Sequence, residues 1–228
     1  MLIIWARRLW RDSLQIIRHL HARQHFHDSW RTFSSLAVDI RRIFEQFTND
    51  KLTFSAGIGF FQPKFPVAEL ARKTGILEDI AKDNPGKNSI ALFGTPAVMK
   101  SKEINSAQSY SWKVFIEKVC GEKLNFLLEN FNFDTSIQLK DKLTLGKSGL
   151  YRILNFLSDT NSELQSVNLA RFAYLLARLN PGENKNGSKV YSKIRDKFYF
   201  WYKDLQERKE LRTAIELIIY SMREKEEN

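Results

Sequence analysis

The chain has 228 residues, with 36 Lys and Arg against 26 Asp and Glu, so its formal net charge is +10. Its 43% hydrophobic and 27% charged residues are typical of a globular protein and exclude a mostly disordered chain or a collagen. The single cysteine, Cys120, excludes a disulfide framework and a cysteine-rich zinc module. The apolar runs are far shorter than the ~18 residues of a membrane span, so we expect no membrane partner. The basic balance favours nucleic acid as a class of partner.

The type of basic residue changes abruptly along the chain, from Arg alone to mostly Lys. Residues 1–50 hold 8 Arg and no Lys, whereas residues 51–228 hold 8 Arg and 20 Lys. We therefore predict that residues 1–30 are an atypical segment outside the fold, and an out-of-frame translation is one explanation. Two others are a basic amphipathic helix for a membrane surface or a nucleic acid, and a metal site at the four histidines. These histidines are His19, His21, His25 and His27. Since such a site needs ordered, convergent ligands, we assign no metal.

Residues 31–94 show a helix–strand–helix–strand pattern, which predicts a partial α/β unit with helices on the sheet. The first helix starts near Ser34 and ends at the turn residues Thr48, Asn49 and Asp50. The later elements are a strand at 52–60, a helix at 67–82 and a strand at 89–93. This unit is too small to close a core by itself.

The strand at 52–60 has one apolar face and one face of small residues. The apolar face, with Ala56 and Ile58, is expected to pack against a helix. The small face, with Ser55, Gly57 and Gly59, leaves room for a ligand or for the close approach of another backbone. The glycines are equally compatible with a bulge.

The turn before the second strand offers a candidate ligand contact. Lys87 and Asn88 follow Asn84-Pro85-Gly86 and enter the strand. A lysine and free backbone N–H groups at this point can hold a phosphate. A plain helix-to-strand turn with an exposed lysine is the alternative.

The rest of the chain is predicted to be a polar linker at 95–109 followed by a helical domain at 110–228, whose apolar stripes form the core. Because no histidine follows His27, this body cannot contain a Ser/His/Asp triad. We find no pair of carboxylates near a strand for a two-metal site. Glu78 and Asp79 are typical of a solvated helix face. We therefore assign no catalytic residue.

Several stretches in order resemble one family. Phe47-Thr48-Asn49, Leu52–Phe60, Phe65-Pro66-Val67 and Gly86–Ile90 resemble the end of the second palm domain of the large subunit of type III-A (Csm-type) CRISPR effector complexes. Tyr110-Ser111-Trp112, residues 170–178 and residues 218–223 resemble that subunit's C-terminal helical domain. The likeness covers about Asp39 to Arg223. The strand motif also occurs in diguanylate-cyclase palms, so the specificity comes from the order and spacing of all the stretches.

The resemblance implies an α+β chain: a partial ferredoxin-like palm of the cyclase type followed by a mainly α-helical C-terminal domain. It implies a cytoplasmic, prokaryotic component of antiviral defence, in a complex with CRISPR RNA, target RNA and small helical subunits on the C-terminal domain. The family uses ATP and a divalent metal to make cyclic oligoadenylates, and it cleaves single-stranded DNA. Carried over by motif, Ser55 and Gly57 would line the nucleotide side, and Lys87 and Asn88 would face the nucleotide.

The chain departs from the family where catalysis is expected. The Gly-Gly-Asp-Asp hairpin that holds the metal should precede Asp39, but no glycine occurs before Gly57. The HD nuclease motif is also absent. We therefore expect an inactive C-terminal fragment that binds neither ATP nor metal productively.

Two other functions remain open. The first is a basic helical protein or scaffold that binds nucleic acid, in which Arg7, Arg8, Arg11, Arg18 and Arg23 contact phosphates. The second is a nucleotide-binding enzyme with an unrecognised site.

Overall fold

A computed structural model describes the chain in seven stretches: residues 2–5, 29–61, 65–93, 108–136, 139–158, 165–182 and 187–224. The chain divides into two compact units, residues 1–116 and 117–228. The first unit combines a sheet with helices and the second is mainly helical, so the α+β class is confirmed. Among the helices in these stretches, none is long and apolar enough to span a bilayer.

The first unit is built on a four-stranded mixed sheet in the order β1-β2-β3-β4. Its strands are β1 (Leu2–Trp5), β2 (Ala56–Phe60), β3 (Ser89–Leu92) and β4 (Gln108–Ser111). The central strands β2 and β3 are parallel, and each outer strand is antiparallel to its neighbour. Helix α1 (Ser29–Thr48) precedes β2, and helix α2 (Val67–Lys82) connects β2 to β3. This βαβ connection is what makes the central pair parallel.

Helix α1 starts at Ser29 and not near Ser34 as predicted, and two further predictions for this unit need correction. Leu2–Trp5 was expected to lie outside the fold, yet its backbone pairs with β2, with Leu2 opposite Phe60. The helix predicted to begin at Tyr110 starts at Trp112, because Gln108–Ser111 forms a strand beside β3. Four-residue strands at sheet edges carry little periodicity, which explains why both were missed.

The end of α1 confirms the predicted turn. Asn49 and Asp50 have φ angles of 50° and 57°, in the left-handed region that terminates helices. The backbone N–H of Asp50 donates to the carbonyl of Glu45 at 3.1 Å. Phe47, in the last turn of α1, is 86% exposed.

Helix α2 packs on the glycine face of β2, the face where we had left open a ligand or another backbone. A Cβ atom built on Gly57 would lie 2.5 Å from the carbonyl oxygen of Thr74 and 2.5 Å from the backbone nitrogen of Glu78. The helix therefore touches the strand at a distance that only glycine permits. On this side Leu77 and Ala81 form a buried cluster with Ala91 of β3. We had predicted a helix on the apolar face of β2. In the structure α2 lies on the small-residue face, because small residues allow close packing.

The second unit begins within a continuous helical run, α3, in three segments: Trp112–Val114 (α), Phe115–Leu124 (π) and Asn125–Asn130 (α). A two-stranded parallel sheet of β5 (Phe131–Asn132) and β6 (Leu143–Thr144) follows. Four helices complete the unit: α4 (Lys147–Ser158), α5 (Gln165–Arg178), α6 (Ser188–Lys203) and α7 (Leu205–Glu224). The mainly helical character predicted for this region is confirmed.

Aromatic side chains fill the core of the second unit. The rings of Phe172 on α5 and Tyr202 on α6 stack with centroids 4.3 Å apart. Phe126 meets Trp201 edge to face at 5.1 Å. The hydroxyl of Tyr191 donates to the carbonyl of Leu176 at 3.0 Å, which satisfies a polar group inside the core. The apolar stripes of these helices therefore form the core of the unit, as predicted.

Replacing Gly57 by Ala tests the close approach of α2. Because the new methyl group would meet two backbone atoms that cannot rotate away, we expect a loss of about 1–3 kcal/mol in the free energy of unfolding. Urea denaturation followed by circular dichroism measures the change.

Gly75, inside α2, provides the matched control. No atom lies within 4 Å of a Cβ built there. Gly75→Ala is therefore expected to stabilise the protein by about 0.5–1 kcal/mol through helix propensity. Equal effects of the two substitutions would contradict the packing described above.

Candidate functional site

The predicted site residues lie at the end of the sheet where β2 and β3 begin. Ser55 directly precedes β2, and Lys87 and Asn88 directly precede β3. Because the two strands are parallel with Ala56 opposite Ile90, these residues share one edge of the sheet. Gly57 lies further along β2, under α2.

Ser55 and Gly57 face protein atoms. The Ser55 hydroxyl is buried and donates to the carbonyl of Ala81 at 3.4 Å, so it ties the end of α2 to the strand. The space beside Gly57 is filled by the α2 backbone. Both residues are therefore placed to position the sheet edge, and the close approach of another backbone was the correct alternative for Gly57.

Lys87 ends a 3₁₀ turn, Pro85–Lys87, and is exposed. Gly86 and Lys87 have φ angles of 83° and 47°. These left-handed conformations form the tight turn that leads into β3. The backbone N–H of Lys87 donates to the carbonyl of Asn84 at 3.1 Å. Its side chain is exposed, and no ion-pair partner for its ammonium lies in the described stretches, but its backbone N–H, which was expected to be available, is already used.

Two buried polar atoms at the start of β3 have no hydrogen-bond partner within the part of the chain that the structure describes. They are the Oδ1 atom of Asn88 and the hydroxyl of Ser89, a residue 1% exposed. Buried polar groups normally have partners, so these two atoms are candidates for contact with a group outside the described residues. Sequence reasoning singled out Asn88 and missed Ser89, since one serine at a strand start carries no distinguishing pattern.

Acidic residues do not gather into a metal site in the described stretches, where no group of three or more His, Cys, Asp or Glu could hold an ion. Glu78, predicted to be solvated, is buried, with its carboxylate 2.8 Å from the ammonium of Lys82. The ammonium of Lys82, four residues along the helix, offsets the cost of burying the charged carboxylate of Glu78. The four histidines and the arginines at 7–23 lie outside the described residues.

The second unit contains a buried ion cluster that the sequence analysis did not predict. Lys123, at the end of the π segment, has a fully buried side chain. Its ammonium lies 3.1 Å from a carboxylate oxygen of Glu122 and 3.2 Å from one of Glu210, and it donates a hydrogen bond to the carboxylate of Glu207. The ring of Trp201 lies 5.1 Å from the same ammonium. We refer to Lys123 and its three glutamates as the Lys123 cluster.

The cluster shifts the pKa values of Lys123 and Glu122 in opposite directions. Burial lowers the pKa of Lys123, but hydrogen bonds to Glu207, Glu122 and Glu210 outweigh it and leave the pKa above its ordinary value. Burial raises the pKa of Glu122, but Lys123 and Lys118 outweigh it and leave that pKa below its ordinary value. Lys123 and Glu122 therefore stay charged at neutral pH, and the ion pairs of Lys123 join α3 to α7.

Comparison with known proteins places the two units in one family. Residues 26–91 match the family model "Cas10/Cmr2, second palm domain". Residues 131–224 match "CRISPR RNA silencing complex Cmr2 subunit, second helical domain". The chain belongs to the Cas10 family. The resemblance noted from the sequence is thereby confirmed.

Curated relatives agree with this assignment. Proteins named CRISPR system single-strand-specific deoxyribonuclease Cas10/Csm1 (subtype III-A) are 33% identical over 196 residues in Enterococcus italicus and 30% identical over 199 residues in Mycobacterium tuberculosis. The counterpart in Streptococcus thermophilus is 33% identical over 196 residues. These matches cover 86–87% of this chain but 22–23% of each relative, so the chain spans about a fifth of the length of the Cas10/Csm1 relatives it matches.

Lys123→Met tests the cluster in the helical unit. The substitution leaves three converging carboxylates without their buried cation, so we expect a loss of about 3–5 kcal/mol in the free energy of unfolding at neutral pH. Because the contribution of Glu122, whose pKa is lowered, is lost as the pH falls below its unfolded value of about 4.3, the difference should shrink in acid.

Lys118→Met is the matched control. Its side chain is 50% exposed and its ammonium lies 3.1 Å from the carboxylate of Glu122. Exposed pairs of this kind contribute under about 1 kcal/mol. If Lys123→Met proves no more costly than Lys118→Met in urea denaturation at pH 7, the cluster does not stabilise the unit.

Proposed function

We propose that this chain is the palm and helical portion of a type III-A Cas10 large subunit and that it acts as an architectural component of a multi-subunit effector complex. The observation that carries the proposal is the order of the two matches: the palm model falls on the first unit and the helical model on the second. The complex would contain CRISPR RNA and target RNA, as the family resemblance implies.

The first unit is, in this proposal, a partial ferredoxin-like palm. Its support is the parallel β2-α2-β3 unit with an antiparallel strand on each side. Because β2 and β3 are direct neighbours in the sheet, the proposal rests on this mixed sheet with α2 packed on it and on the palm-domain match.

Within the palm, Lys87 and Asn88 would contact the nucleotide, and Ser55 and Gly57 would position the sheet edge beneath them. The exposed ammonium of Lys87 suits a phosphate, and the unpartnered Asn88 Oδ1 suits a donor such as an amino or hydroxyl group. ATP and a divalent metal are the family's cofactors by resemblance. We propose that this chain alone does not turn over ATP, since its sequence contains no Gly-Gly-Asp-Asp motif to hold the metal.

The helical unit would receive a small helical subunit on the outer face of α5. On this face Tyr174 is 65% exposed and Val167 is 45% exposed, beside exposed alanines and arginines. Small residues at helical spacing let a second helix approach closely, and α5 contains no acidic residue that would repel a partner's carboxylates. The guanidinium of Arg178 lies 6.0 Å from the ring of Tyr174, which leaves its charge at the surface.

Co-purification with the small helical subunit of a type III-A complex tests the architectural role. We expect the full chain to retain that subunit on an affinity column and Tyr174→Asp to reduce retention at least tenfold. Val67→Asp, which changes a 69% exposed apolar residue at the start of α2, should retain it normally. Failure of the unaltered chain to retain the subunit would refute the proposed role.

Incubation with ATP and Mn²⁺ tests the proposed lack of catalysis. We expect neither cyclic oligoadenylate from ATP nor cleavage of a single-stranded DNA oligonucleotide by this chain alone. An intact type III-A complex serves as the positive control in both assays. Robust product that requires this chain would refute the claim that it is inactive by itself.

A further inference from the structure

The outward surface of α6 carries most of the charge of that helix. The helix contains five cations, Lys189, Lys193, Arg195, Lys197 and Lys203, and one acid, Asp196. All six side chains are exposed. The opposite side of the helix is buried through Tyr191, Ile194, Phe198, Trp201 and Tyr202. The core thus fixes which side faces solvent, and we call this side, with the exposed Phe200, the basic face.

The lysines of the basic face are not neutralised by the protein. The only carboxylate on α6, that of Asp196, lies 2.8 Å from the guanidinium of Arg195. Within the described part of the chain, no carboxylate lies in ion-pair distance of Lys189, Lys193, Lys197 or Lys203. The ammonium groups of Lys193 and Lys197 instead lie 5.3 Å and 5.7 Å from the rings of Phe126 and Trp201. Aromatic contacts orient these side chains but leave the full positive charge available to an external anion.

The lysines form a row suited to a polyanion. Lys189, Lys193 and Lys197 follow one another at intervals of four residues, which corresponds to about 6 Å per step along a helix. A row of regularly spaced cations can contact successive phosphates of one strand. An isolated phosphate or carboxylate would use only one member of the row.

An exposed aromatic ring lies within the same face. Phe200 is 63% exposed and follows Lys197 by three residues and Lys193 by seven, so it lies on the lysine side of the helix. Exposed aromatic rings between cations stack on unpaired bases, which adds affinity for any sequence. The bases of a duplex are stacked on one another and cannot stack on such a ring.

We propose that the basic face of α6 is a binding surface for single-stranded nucleic acid, in which the lysine row contacts the phosphate backbone and Phe200 stacks on a base. This inference goes beyond the architectural role, because the surface belongs to this chain alone and needs no other subunit. It also differs from a phosphate contact through the arginines at 7–23.

Fluorescence anisotropy with a labelled 20-nucleotide oligouridylate tests the lysine row on the full chain. We expect Lys189→Gln, Lys193→Gln and Lys197→Gln together to weaken binding at least tenfold. Because each lost phosphate contact removes about 0.7 from the slope of log K against log salt, the slope should fall by about 2. The corresponding triple Lys→Arg variant should bind like the unaltered chain.

The control removes the same charge elsewhere, through Lys51→Gln, Lys113→Gln and Lys140→Gln at three exposed positions. This variant should lose less than threefold in affinity. Equal loss in the two triple Gln variants would show that only net charge matters and would overturn the proposal. Because all six lysines are exposed, circular dichroism should show unchanged helix content in both triple Gln variants.

Phe200→Ala tests stacking separately from charge. We expect it to weaken binding of the oligouridylate about fivefold or more and to leave binding of a 20-base-pair duplex unchanged. Phe47→Ala, at an 86% exposed phenylalanine on α1, is the matched control and should change neither. An unchanged affinity of Phe200→Ala for the single strand, or an equal loss on the duplex, would overturn the stacking contact and with it the preference for single strands.

Discussion

The close contact between α2 and β2 at Gly57 is the constraint on which the first unit depends. The space that a side chain would occupy holds the backbone of Thr74 and Glu78. This approach brings Leu77 and Ala81 onto Ala91 of the neighbouring strand, so one contact determines where the helix lies across two strands. The edge that carries Ser55, Lys87 and Asn88 is formed by the same βαβ unit. Its geometry therefore follows from the absence of a side chain at Gly57.

The helical unit is organised by a different kind of contact. Three carboxylates from α3 and α7 surround one buried ammonium, an arrangement whose desolvation cost only excellent geometry offsets. The indole N–H of Trp201 also donates to Glu122 at 3.3 Å, and the side-chain amide of Gln206 donates to Glu210 at 3.1 Å. Lys123 lies at the end of a ten-residue π segment, a rare conformation that persists only where its surroundings stabilise it. The ion pairs of Lys123 connect this segment to α7.

Local periodicity predicted most helices and both central strands, but it could not identify which face a helix covers. The predicted alternation of apolar and small residues at 52–60 was correct. We expected the helix on the apolar face, however, whereas α2 covers Gly57 and Gly59. Alternation separates two faces without naming their neighbours, and close packing on glycine is a tertiary effect. The Lys123 cluster was missed for a similar reason. Two of its three glutamates lie 84 and 87 positions from Lys123, at 207 and 210, and each looks like an ordinary surface charge in the sequence.

The distribution of charge between the interior and the surface links the cluster to the basic face. The Lys123 cluster takes up three carboxylates of the helical unit to neutralise one ammonium, and two of them come from α7, the helix that follows α6. Had Glu207 and Glu210 pointed outward, they would have been the nearest acids along the chain after Asp204 to offset the lysines of α6. Directing them inward stabilises the fold and leaves the lysines unneutralised. The positive surface is therefore a consequence of how the unit satisfies its buried lysine as well as of the overall excess of cations.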